Sequence, residues 1–407
     1  MAGLKALRYV SELKRVLIAG VSTRAAAESA ARVGFAVTAI DAFGDLDQHP
    51  SVQAHSLEGA FSPDAASRLA ATVECEAVAY VSNYENHPDA VARLAQGRAL
   101  WGNAPDVLER VRDPLRLTQT LRRRGCAAPD VQDESHLSAS SRGPERIEGR
   151  IPSPEPRHDR AWLVKPRRSG GGHQVRLWRR GTRVPRGCYL QEFVEGSLGS
   201  IVFVAAGGRA VPLGVFRQLI GEEPFGASGY RYCGNILAAA GEDEAVVDGA
   251  CAVAGAVCEE FSLVGVNGID FVAKGGVPYA IEVNPRWCAS MELVERAFGL
   301  SVFGAHAAAC RDGLLPDFDL ARARTAHAVG KAVVFARHGV TVGDTNAWLA
   351  DADVRDVPHP GARIRAGRPV CTVFATGRDE AECHASLVRR AERVHAQLTR
   401  IGHRGML

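Results

Sequence analysis

The chain has 407 residues, enough for two or three domains of ordinary size. Hydrophobic residues make up 46% and charged residues 23%, which excludes a mostly disordered chain, a fibrous repeat and a small disulfide scaffold. The net charge of +3 does not favour a nucleic-acid binder over an ordinary enzyme.

Residues 15–41 read strand, turn, helix, strand. An apolar run, Arg15–Ala19, ends in Gly20; Ser22 and Thr23 are candidate N-caps for an Ala-rich helix from Arg24 to Val33; Phe35–Ile40 runs on to Asp41. This βαβ start carries only a degraded dinucleotide loop, Gly20 to Ala25, so a structural Rossmann-like unit is expected. A strand at Ala77–Ser82 leads into a loop at Asn83–Pro88, and a helix is expected over 89–100. Another runs from about Ala104 to Gly125, interrupted at Pro114. Residues 126–160, with RIPSPEPRH, read as an exposed loop or linker.

From Ala161 the pattern turns to strands: Trp162–Val164, Gln174–Trp178, Cys188–Val194, Ile201–Ala205 and Val211–Phe216. Helices fit Glu242–Glu260, Met291–Gly299 and a stretch after Val302. The last 80 or so residues hold strands at Ala332–Ala336 and Val370–Ala375, a turn at Pro358–Gly361 and a helix from Glu380 to Leu398.

Of 49 basic residues only five are Lys (Lys5, Lys14, Lys165, Lys274 and Lys331), so a retained Lys marks a place where a compact ammonium is wanted. The ten cysteines form no CxxC pair and no Cys/His zinc spacing, as in a reduced cytoplasmic protein. No apolar run of about 18 residues or signal core is found, so neither a membrane span nor export is expected. Between Arg142 and Arg186 lie 13 Arg/Lys and 4 Asp/Glu, which fits a solvated loop or a polyphosphate-facing surface better than a nucleic-acid groove.

Three segments carry chemistry. In the first, Gly275-Gly276 turns a hairpin between two strand-like runs, VNGIDFVA and VPYAIEVNPR. Counting back from the turn puts Asp270 roughly opposite Ile281–Glu282, and Glu282 and Asn284 on one face. Two carboxylates so close repel unless a cation lies between them, and oxygen donors suit Mg²⁺, with Mn²⁺ as a substitute. Arg286, just beyond, could meet an anion held by that metal. In the second, Lys165 ends a strand and a Ser169-Gly170-Gly171-Gly172 loop follows, which fits phosphate contact or a plain hairpin turn. In the third, Gln191-Glu192-Phe193-Val194-Glu195 runs out of a strand as an acidic hinge able to read an adenine edge.

In this order the segments resemble the ATP-grasp superfamily, over roughly residues 110–320; IEVNPR after VNGIDF is the most specific part. The resemblance implies an α/β and α+β multidomain fold: a Rossmann-like N-terminal domain over 1–110, a two-lobed ATP-grasp core over 111–322 with a lid at about 120–195, and a small β-rich C-terminal domain over 323–407 like that of biotin carboxylase. It implies that Lys165 and Ser169 to Gly172 contact ATP phosphates, that Gln191 to Val194 hold adenine and that Glu195 meets ribose. Asp270, Glu282 and Asn284 hold Mg²⁺, and Arg286 steadies the transferring phosphoryl group. Relatives often carry an Asp-Lys pair where this chain has Asp113-Pro114, which leaves Arg112, Arg116 or no residue in that role.

The activity implied is ADP-forming: a carboxylate becomes an acyl phosphate and is joined to an amine. Carboxylation through carboxyphosphate is the near alternative, and a non-catalytic nucleotide-binding scaffold is the alternative of another class. The architecture also resembles carboligase-like proteins of one-carbon cofactor assembly, which sets the ligase in cofactor biosynthesis. Expected partners are small molecules, with a homodimer as the oligomer the resemblance admits, and neither nucleic acid nor membrane. His173, Arg217, Gln218, Tyr230 and Arg231 are the candidates for the substrate side.

Overall fold

A computed structural model describes residues 14–57, 61–133, 160–238, 244–323 and 325–404. Most of the linker expected over 126–160 lies outside these residues.

The N-terminal segment forms a parallel sheet from β1 (Arg15–Ala19), β2 (Ala36–Asp41), β3 (Val52–Ser56), β4 (Ala77–Tyr80) and β5 (Ala99–Trp101), in the order β3-β2-β1-β4-β5. Its central strands are buried on both faces, as their unbroken apolar runs require. Helices α1 (Arg24–Arg32), α2 (Pro63–Ala70) and α3 (Pro88–Leu94) pack around it. The helix expected over 89–100 is therefore shorter, and its last residues form β5: Gly97 at φ 73° breaks the helix and lets Ala99–Trp101 pair with β4. Thr23 stands at the N-cap of α1 but caps nothing with its side chain; its hydroxyl donates to Asp41 Oδ2 at 2.9 Å.

Helices α4 (Pro105–Val111) and α5 (Pro114–Arg123) follow, each with Pro in its first turn. Asp113 caps α5 by accepting from Leu115 N and Arg116 N at 2.9 and 3.2 Å. A four-stranded antiparallel sheet is built from β6 (Val131–Asp133), β7 (Trp162–Pro166), β8 (Arg176–Leu177) and β9 (Cys188–Glu192), in the order β6-β9-β7-β8.

The largest sheet has eight strands, every neighbouring pair antiparallel: β14-β13-β10-β11-β12-β15-β19-β17. These are β10 (Ser197–Ala206), β11 (Arg209–Ile220), β12 (Tyr232–Leu237), β13 (Gly265–Lys274), β14 (Val277–Asn284), β15 (Ala328–Phe335), β17 (Val354–Arg355) and β19 (Pro369–Gly377). The C-terminal strands thus continue the sheet that carries the hairpin. A small ribbon, β16 (Val340–Thr341) with β18 (Arg363–Ile364), sits beside it. Helix α6 (Glu244–Phe261) covers one face of β10, β13 and β14. Helices α7 (Met291–Phe298) and α8 (Val302–Asp312) fill the space between the two large sheets. After a short helix α9 (Asn346–Leu349), helix α10 (Glu380–Arg404) packs on β15 and β19.

His306 on α8 ties the parallel sheet to β13. Its Nδ1 accepts from Val266 N at 3.0 Å, and its Nε2 donates to Trp101 O at 3.3 Å. Burial holds the ring neutral and lowers its pKa to about 4. An unfolded His binds a proton near pH 6.5, so this residue costs stability as pH falls from there towards about 4, by at most about 1.4 kcal/mol per pH unit. Urea midpoints measured between these pH values are expected to fall more steeply for the wild type than for His306→Gln. Equal slopes would contradict the assignment.

Candidate active site

A cleft of about 940 Å³ opens between the four-stranded sheet, the eight-stranded sheet and the loops of the parallel sheet. Its floor is the β13–β14 hairpin. The strands pair with Asp270 opposite Glu282 and Gly268 opposite Asn284. Ile269 and Phe271 on β13, and Ala280 and Val283 on β14, turn the other way into the core under α6. A bulge between Asp270 and Phe271 absorbs the odd residue in that pairing. The expected convergence of Asp270, Glu282 and Asn284 on one face is what this register produces.

Each of the three already has protein partners. Asp270 accepts from Gln218 Nε2 at 2.7 Å and from Asn284 Nδ2 at 3.0 Å. Burial, and then the facing charge of Glu282, push its carboxyl up to about 6. Burial acts on Glu282 in the same direction, but Arg112 and then Lys165 outweigh it, and its pKa falls below the ordinary value. The Asn284 oxygen accepts from Arg286 Nη2 at 3.0 Å, and Arg286 Nε donates to buried Glu85 at 2.9 Å.

The two arginines flanking Asp113-Pro114 have different surroundings. Arg112 donates through Nη1 to Glu282 and to Val283 O (3.0 Å), and through Nη2 to Asn86 Oδ1 (2.8 Å) and Ser169 O (3.1 Å). It joins the hairpin, the glycine loop and the parallel-sheet loop. Arg116 instead lies over the Phe261 ring, 6.0 Å from its centroid.

Lys165 is buried and donates to Gln191 Oε1 at 3.0 Å; Gln191 Nε2 in turn donates to Ile281 O at 3.2 Å. β7 and β9 pair Lys165 with Tyr189, so Gln191 is its diagonal neighbour on the same face. The glycine loop is folded down on the cleft. Gly171 O accepts from Tyr232 N at 3.1 Å, and a Cβ on Gly172 (φ 74°) would lie 1.6 Å from Tyr230 O.

At the hinge, residues 191–196 line the cleft. The Glu192 carboxylate is engaged by Arg160 Nη1 at 2.7 Å and Asp130 N at 3.0 Å, so it serves the lobe's own structure. Phe193 and Glu195 are exposed at the rim. His173, Gln218 and Tyr230 line the cleft, whereas Arg217 and Arg231 do not. Alternation along β11 turns Gln218 inward and Arg217 outward, where it pairs with Glu380. Arg231 reaches Gly367 O at 2.6 Å and lies over the Phe335 ring. Sequence reasoning missed Glu85, Asn86, Asn235 and Lys331. Only Lys331 left a signal, as one of the few lysines.

The donor set that could take a metal is two carboxylates and an amide oxygen, all hard ligands in register on adjacent strands. Among the described residues there is no cluster of three or more His, Cys, Asp and Glu that could hold a metal ion, so Asn284 is needed to complete this one. A divalent cation would offset the burial and the facing Glu282 charge that together hold the Asp270 carboxyl up.

Residues 111–290 match the family model of the ATP-grasp domain, and this part of the chain is an ATP-grasp domain. The fold is shared with an L-amino acid ligase from Bacillus licheniformis: TM-score 0.68 and 15% identity, over 94% of this chain and 98% of that one. It is shared with N5-carboxyaminoimidazole ribonucleotide synthetase from Thermotoga maritima: TM-score 0.63 and 17% identity, over 93% and 98%. It is also shared with the biotin carboxylase domain of Hydrogenobacter thermophilus 2-oxoglutarate carboxylase, solved with MgADP and bicarbonate: TM-score 0.66 and 15% identity, over 93% and 89%. An uncharacterised protein of Methanocaldococcus jannaschii is 28% identical over 122 residues, a stretch that takes in 30% of this chain and 28% of that protein.

Adding a methyl group at Gly172 would force the loop off Tyr230 O. Gly172→Ala is expected to cost the closed loop about 1–3 kcal/mol and to speed tryptic cutting after Arg167 and Arg168 about tenfold. Unchanged cutting would show that the loop is not held there.

Proposed function

We propose that this chain is an ADP-forming ligase that activates a carboxylate as an acyl phosphate and joins it to an amine. In the first step the substrate carboxylate oxygen takes the terminal phosphoryl group of ATP and ADP leaves. In the second the amine nitrogen bonds to the acyl carbon, the carbon–oxygen bond to phosphate breaks, and phosphate and a proton are released. What supports this reading most is that Lys165, the glycine loop, the Asp270–Glu282 pair and Arg286 meet around one cleft, although they come from segments more than 100 residues apart.

Phosphoryl transfer asks for alignment and charge neutralisation more than for covalent help. Asp270, Glu282 and Asn284 would hold Mg²⁺ or Mn²⁺, which supplies positive charge against the outer phosphate oxygens. Lys165 sits at the foot of the glycine loop, where its ammonium would meet the same phosphates, and Ser169 to Gly172 would cover them and keep water from the acyl phosphate. Residues 191–194 offer hinge backbone to adenine, with Glu195 at the rim for ribose. Arg286, braced by Glu85, would face charge developing on the transferring group.

Purified protein supplied with MgATP is expected to release ADP and phosphate only with both an acid and an amine present. Glutamate with a panel of aromatic amines is the first screen. AMP and pyrophosphate as products would refute the reading. ADP release driven by bicarbonate alone would assign carboxyphosphate chemistry instead. Lys165→Met is expected to lower turnover by about 10²–10³, roughly 3–4 kcal/mol, with little change in melting temperature. Wild-type turnover in that variant would remove Lys165 from the site.

A further inference from the structure

At the far end of the same cleft the loops after β1 and β2 meet the last strands of the eight-stranded sheet. Arg24, fully buried, is held by Asp356 Oδ1 at 2.7 Å, Glu28 Oε2 at 2.9 Å and Glu292 Oε1 at 2.8 Å. Lys331, equally enclosed, donates to the other Glu292 oxygen at 2.7 Å. Asp47 accepts from the backbone of Asp356 and Val357 at 3.0 and 2.8 Å. Asp41 accepts from Thr23 Oγ1, Phe43 N and Gly44 N. Each of these charges is answered within the protein.

Asp45 is the exception. It lines the cleft and is only 7% exposed, yet its Oδ2 is buried with no hydrogen-bond partner among the described residues. Two residues upstream, Phe43 also lines the cleft and is 37% exposed.

We propose that this end of the cleft binds the ammonium group of an amine substrate, with Asp45 as its counter-ion and Phe43 as the wall beside its apolar body. An acidic substrate group would find no free cation here, because Arg24 and Lys331 are already paired with Asp356, Glu28 and Glu292. A bare metal ion needs several free oxygens, and the neighbouring carboxylates are already taken by Arg24, Lys331 and backbone N–H groups. An ammonium needs one strong acceptor and gains from an aromatic face. The inference rests on the ligase reading for the fate of the amine, though not for its binding.

Burial, then the charges of Asp356, Asp41 and Asp47, push the Asp45 carboxyl up to about 9, against the pull of Arg24. Cys371 on β19 also faces this group, and burial raises its thiol far enough to leave it neutral. Glu292 and Lys331 stand beyond Arg24, paired with each other. An ammonium pairing with Asp45 therefore displaces a proton, and its apparent affinity climbs with pH up to about 9, by at most about tenfold per unit.

The test is calorimetric titration of the full chain with ethylammonium chloride, with and without MgADP, in two buffers of different ionisation heat. Wild type is expected to bind with release of about one proton near pH 7.5. Asp45→Asn, checked for a native circular-dichroism spectrum, is expected to lose both the binding and the proton release. Binding unchanged in the variant, binding without proton release, or no binding by wild type at a large excess of ethylammonium would each overturn the proposal. A parallel MgATP titration tests the ligase reading alone. Failure there with ethylammonium binding intact removes the enzymatic use and leaves the site standing.

Discussion

Two carboxylates facing each other across a strand pair set the terms for everything around them. Asp270 and Glu282 share a hairpin register and cannot both ionise freely in a buried setting. The protein meets this unevenly. Glu282 has the Arg112 guanidinium and the field of Lys165, and stays charged; Asp270 receives only amide N–H groups, from Gln218 and Asn284, and is held closer to neutral.

The cations come from different parts of the chain. Arg112 lies between two helices, Lys165 ends a strand of the small sheet, and Arg286 follows the hairpin. Each is braced by a side chain with no charge of its own to neutralise or by a buried carboxylate: Asn86 for Arg112, Gln191 for Lys165, Glu85 for Arg286. Asn86 and Glu85 come from one short loop after β4, so the parallel sheet takes part in ordering the cleft. Arg112 also holds Ser169 O, which couples the position of the glycine loop to that of the hairpin.

The eight-stranded sheet gives the cleft its second end. Because β15, β17 and β19 continue the sheet that begins with the hairpin, Lys331 and Thr372 lie along the same wall as Asp270. The acidic cluster around Arg24 then seals the junction with the parallel sheet. A single continuous wall therefore runs from the hairpin to the junction with the parallel sheet.

Much of this was legible in the residues. The hairpin turn at Gly275-Gly276 and the alternation on either side of it placed Asp270, Glu282 and Asn284 on one face, because strand periodicity and turn position are local properties. The βαβ start, the helix breaks at Pro114 and Gly125, and the Lys165–glycine loop unit are local in the same sense. What tertiary structure alone decided was partnership across distance. Which of Arg112 and Arg116 bonds to the hairpin depends on how α4 packs over it. Whether Arg217 or Gln218 faces inward depends on the register of β11 with β10. Glu85 and Asp45 gave no local sign, since an acid in a loop is ordinarily solvated. Their roles arise only when folding removes the water and leaves each carboxylate to find a counter-charge, or to lack one.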